Sequence, residues 1–157
     1  MAWVTLSLRK MELIHQHNEL EFEDLQISRE ERQMARQYQL MQRRARNEGT
    51  IATRQAKEMY RAGLEDLNTQ YSDDKSSIEY QQQYNNAKED YDDRINQMKK
   101  ETEDEVAELE QEAADKEAEL EDEKVQIETQ MEAVAAEMDA IKQQISTDIQ
   151  NEAIQLH

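Results

Sequence analysis

The sequence has no Cys, so any chemistry it performs must come from carboxylates, imidazoles, amines, tyrosines or hydroxyls. Thiolate nucleophiles, thiolate metal ligands and disulfides are all removed at once. The imidazoles are His15, His17 and His157. Two steps along a helix turn the chain by about 200°, so His15 and His17 face opposite sides and cannot chelate one metal. The run Asp73-Asp74-Lys75-Ser76-Ser77 has the acidity of a calcium loop. Counted from Asp73, however, Ile78 stands where such a loop needs Gly, and Lys75 puts a cation at a ligand position. Paired carboxylates abound, but on polar faces they are solvated charge and not an acid and base held in a cleft. No Gly-rich phosphate loop occurs. The expectation is a protein with no catalytic residue, no metal site and no cofactor, and therefore not an enzyme.

Two apolar groups point to binding instead. Tyr80, Tyr84 and Tyr91 share one helical flank, and Tyr60 and Tyr71 come near them if the chain folds back in between. Tyrosines of this kind suit a thin seam, ring inward and hydroxyl in water, in preference to a ligand patch. Trp3, Val4, Leu6, Leu8, Met11, Leu13 and Ile14 surround more of a helix than one stripe, so something should cover them. A partner protein is the first expectation, and an interfacial membrane contact through residues 1–14 is the second.

The elements that carry these residues follow from composition. The 157 residues include no Pro and only two Gly, with 36% hydrophobic and 36% charged residues. Glu, Gln, Ala, Lys, Arg, Met and Leu dominate, and these are strong helix formers. Too few large side chains exist to close a thick core, but a narrow stripe can be buried against another helix. A disordered acidic chain shares the polarity but lacks periodicity, and periodicity is present here. Leu6, Leu13, Leu20, Ile27, Met34 and Met41 recur every seven residues. Their companions Trp3, Lys10, His17, Asp24, Glu31, Tyr38 and Ala45 are mixed, so one seam column is sound and the other leaks.

Two interruptions are expected. Asn47-Glu48-Gly49-Thr50 combines a C-terminal Gly with a capping Thr and predicts a kink or short turn. Gly63, flanked by helix formers, reads as a close-packing point. Ser72–Ser77 is the clearest break, because Ser and Asp side chains compete for backbone hydrogen bonds. Beyond it no breaker appears. Ile127, Met131, Val134, Met138, Ile141 and Ile145 alternate four and three without a miss, which marks 127–149 as a zipper for oligomerisation or docking. Two steps of four, Lys116 to Leu120 to Lys124, predict a local stutter.

Charge divides the chain unevenly. Of the net −18, residues 1–63 hold eleven basic and nine acidic side chains, whereas 64–157 hold eight and twenty-eight. Arg29, Arg32, Arg36, Arg43, Arg44 and Arg46 lie in the basic stretch 29–61. A fold about Ser72–Ser77 sets residue i opposite roughly 149 − i, so 29–61 meets the acidic stretch 88–120. Those arginines are therefore expected to pair across the hairpin and fix its orientation. The same acidity argues against nucleic acid as a partner. No stretch reaches the ~20 apolar residues of a membrane span. The opening MAWVTLSLRKMELI is broken by Arg9 and Lys10 and lacks a cleavage site, so no cleaved signal is expected.

The sequence thus predicts an all-α fold: a long antiparallel helical hairpin or coiled coil, elongated, with arms of roughly 100 Å at ~1.5 Å per residue. Residues 1–71 form a basic-leaning arm, 72–77 a polar turn, and 78–157 an acidic arm ending in the zipper. In size and general style the chain resembles small helical subunits of bacterial secretion machines and phage particles, though no motif carries that likeness. The expected function is a structural or adaptor coiled-coil subunit that binds itself or other protein subunits. An acidic secretion chaperone or regulatory binder for a basic client is the alternative, and a peripheral membrane protein held by residues 1–14 a further one.

Overall fold

The computed structural model describes residues 2–156 and is a two-helix hairpin, α1 (Ala2–Gln70) and α2 (Ile78–Gln155) joined by a turn over 71–77. Ser and Asp end α1 at the position their chemistry predicts. The Tyr71 amide donates to the Leu67 carbonyl at 3.0 Å, the Asp74 amide to Tyr71 at 3.1 Å and the Ser77 amide to Asp74 at 3.2 Å. The Ser77 hydroxyl accepts from the Tyr80 amide at 3.1 Å and so caps α2. Among the described residues none takes a positive φ, so the reversal is made by successive tight turns without a left-handed cap.

The kink or turn expected at Asn47–Thr50 is not formed as a turn, since α1 stays helical through these residues. Two local causes are visible. Thr50 does not cap a new helix, and its hydroxyl donates instead to the Arg46 carbonyl at 3.0 Å inside the helix. Gly49 serves close packing: a Cβ there would stand 3.0 Å from Thr102 Cγ2 and 3.2 Å from its Cβ. Gly63 has open space around it, so the close-packing role assigned to it belongs to Gly49.

Two compact units make up the chain, Met1–Ala35 with Ala114–His157, and Arg36–Ala113. In the second unit Tyr71 faces Tyr80, Tyr60 faces Tyr91 and Gly49 faces Thr102, so residue i meets 151 − i, two residues from the expected register. From Ala45 to Ala56 its α1 seam is small, with Ala45 and Ala56 buried and Gly49, Ala52 and Thr53 half-buried. Small side chains let the backbones approach at Thr102. In the first unit Leu13 is fully buried, and Ile27, Leu120 and Ile141 are buried with it. Removing a Leu side chain completely from water contributes about 1.5–3 kcal/mol. The seam alternates three and four from Trp3 to Tyr38, and then steps by four to half-buried Gln42, leaving Met41 exposed. On α2, Lys116 is exposed, out of the seam in which it was expected, whereas Ala113, Leu120, Ile127, Val134 and Ile141 keep an unbroken seven-residue column.

Candidate interaction surface

Both ends of the chain expected to meet partners lie in the first unit, and there they meet each other. The Trp3 indole donates to Glu152 at 3.0 Å. Arg9 bridges to Glu137 at 3.2 Å and to Glu12 at 3.1 Å. The hydrogen bond to Glu12, then that to Glu137, raises the Arg9 pKa above its ordinary value. Leu20 and Val134 line one groove. Of the zipper residues, Ile141 is buried and Ile127, Met131, Val134, Met138 and Ile145 are half-buried. In a two-helix unit the element that buries them is α1, so this column is the intramolecular seam.

The N-terminal apolar group is thereby divided. Leu13 is buried and Trp3 and Leu6 are half-buried in the seam, while Val4, Leu8, Met11 and Ile14 remain exposed. Phe22 and Leu25 are exposed as well, and the sequence reading passed over both. The signal for them is a second four-three alternation in the sequence, which starts at Val4, one residue after the seam that starts at Trp3. This outward apolar face of α1 is the candidate site.

The charge complementarity of the arms takes a different form from contact pairs. Arg29, Arg32, Arg36, Arg43, Arg44 and Arg46 are all exposed. Arg44 pairs with Glu48 of its own helix at 3.3 Å, and none of the six makes a cross-helix ion pair among the described residues. Opposite charge on facing stretches therefore acts through solvent, where each pair contributes well under ~1 kcal/mol and salt screens it.

The tyrosines gather beside the turn. Tyr60 and Tyr91 stack with centroids 4.4 Å apart and planes 13° apart, and Tyr71 meets Tyr80 edge-on at 5.9 Å. Tyr80 donates its hydroxyl to Asn68 at 2.6 Å, and Gln83 donates to the Tyr71 oxygen at 3.2 Å. Loss of water around Tyr60, with the neighbouring Tyr84 second, raises its pKa above the ordinary value. Half-buried Tyr60, Tyr71, Tyr80 and Tyr91 are thus seam tyrosines, whereas Tyr84, expected among them, is exposed.

His15 and His17 each face a glutamate four residues on, Glu19 at 3.0 Å and Glu21 at 3.6 Å, and do not approach one another as ligands. Among the described residues no group of three His, Asp or Glu side chains could hold a metal ion, and no helix is long and apolar enough to cross a membrane. No family model, no curated protein and no solved structure matches this chain.

Proposed function

We propose that the protein is a structural or adaptor coiled-coil subunit that works through helix–helix contacts with other protein chains. The observation that carries this reading is the row of large apolar side chains left on the outward face of α1, with Leu8, Phe22 and Leu25 each more than half exposed. A hairpin buries one face of each helix, and a second apolar face on the same helix is the usual mark of a further helix to be bound. Site-specific photo-crosslinkers at Leu8 and Phe22, placed in the full chain in its native cell, test this directly. Adducts to a defined protein are expected there, while crosslinkers at Ile127 and Ile141 should react within the chain. Adducts to lipid alone at the outward positions would refute the reading. The net charge of −18 favours a second reading, an acidic binder that holds a basic client. Under that reading, complexes captured without crosslinking should dissociate steeply as salt rises.

A further inference from the structure

Resting on that reading, we infer that the outward face of α1 is a second coiled-coil seam whose partner is an amphipathic helix flanked by Lys or Arg. The seam runs Val4, Leu8, Met11, His15, Asn18, Phe22 and Leu25, an alternation of four and three without a miss, and Arg29 occupies the next position and ends it. Its apolar members are exposed by 38, 59, 66, 60 and 64% in order. The inward seam of the same stretch runs Trp3, Leu6, Lys10, Leu13, His17, Leu20, Asp24 and Ile27. At about 100° per residue the two seams lie roughly 150° apart around α1, so the helix is built to pack between two neighbours. Only one neighbour, α2, is supplied by its own unit.

Width and charge identify the missing helix. Apart from Ile14, exposed on one flank, the stripe is two positions wide with a 3.5-residue period, which fits the seam of one helix and is narrower than the broad apolar face of a helix lying in a bilayer surface. Glu12 and Glu19 border it on one side and Glu21 on the other. Apart from Arg29, which ends the stripe, the nearest exposed cation is Arg9, and it is engaged by Glu12 and by Glu137 of α2. A border of carboxylates repels an anionic lipid surface. It also disfavours a second copy: an antiparallel copy sets Glu12 against Glu19, and a parallel one gains no opposite charge, because Glu12, Glu19 and Glu21 then meet Ser7, Ile14 and Gln26. A partner with Lys or Arg at its flanking positions meets opposite charge on both sides. At the centre of the stripe, His15 and Asn18 interrupt the apolar row. A seam Asn fixes register at some loss of stability, so the partner should carry polar residues at that level.

Two designed helical peptides with the same Leu/Ile seam, one flanked by Lys and one by Glu, serve as probes of the full chain at low ionic strength. The Lys-flanked peptide should bind at least about tenfold more tightly, from three charge pairs of the size seen at exposed sites. Reversing the border with Glu12→Lys, Glu19→Lys and Glu21→Lys should invert the preference. A Leu8→Gln, Phe22→Gln variant, which leaves the inward seam intact, should bind neither peptide while keeping the helical circular dichroism of the parent. Equal binding of both peptides, an unchanged preference after charge reversal, or a sedimenting dimer dissolved by the Gln variant would each overturn the inference. So would binding of anionic phosphatidylserine vesicles that the Gln variant abolishes. If crosslinking at Leu8 and Phe22 still yields a protein adduct while peptide preference is absent, the basic partner falls and the structural role stands.

Discussion

Gly49 and Gly63 share one helix and differ only in what surrounds them. Gly in a helix interior costs about 0.8–1 kcal/mol relative to Ala, so either position gains intrinsic helix stability on substitution. At Gly63 nothing lies within 4 Å of the added Cβ, and Gly63→Ala should raise the urea midpoint by an amount equal to about 0.5–1 kcal/mol. At Gly49 the new methyl group meets the short, branched side chain of Thr102, which is held by its hydrogen bond to the Met98 carbonyl at 3.0 Å. Gly49→Ala should therefore lower the midpoint despite its better propensity. In a Thr102→Ala background the obstacle is gone and the same substitution should become stabilising. A thermodynamic cycle across the two sites measures the coupling directly.

At the scale of the element, the leaking column of α1 decides how firmly the first unit holds. Lys10, His17, Asp24 and Glu31 are all half-buried, one per heptad, between buried or half-buried Leu13, Leu20 and Ile27. Asp24 carries the plainest penalty, because its Oδ1 atom is buried and has no hydrogen-bond partner. Seven-residue steps from the Trp3–Glu152 contact set Asp24 level with half-buried Met131, which offers a carboxylate no good donor. An unsatisfied buried acceptor costs about 1–3 kcal/mol. Asp24→Leu should thus stabilise the protein by at least ~1 kcal/mol, seen as a higher thermal midpoint; a lower midpoint would show that Asp24 is satisfied in solution. This column was legible in the sequence as a leak, since polarity at a fixed heptad position needs no coordinates. The failed turn at Asn47–Thr50 was not. A Gly followed by a Thr reads as a stop only while the facing helix is ignored, and Thr102 lies 53 residues downstream.

For the molecule as a whole, the two-helix fold was readable because local signals agreed: no Pro, a Ser/Asp cluster at 72–77, and seven-residue columns on both sides of it. The candidate surface was readable in part, since exposure of a face depends on which column the partner helix selects. Charge patterning pointed to a fold-back pairing, but the contact that fixes each unit is apolar. That pairing can be tested in each unit by itself, and the absence of native Cys makes the test clean. In the second unit Ala56 and Ile95 face each other, one heptad on from Gly49 and Thr102. In the first, Leu20 and Val134 line one groove. Ala56→Cys with Ile95→Cys, and separately Leu20→Cys with Val134→Cys, should each oxidise to a disulfide within one chain. The crosslinked fraction should be independent of protein concentration, because the loop is closed before the thiols react. Moving one member by two residues, as in Ala56→Cys with Gln97→Cys, turns the thiol away from the seam and should reduce the yield sharply. Covalent dimers whose share grows with concentration would instead mean that the two helices pair between chains, with the turn at 71–77 opened into a hinge.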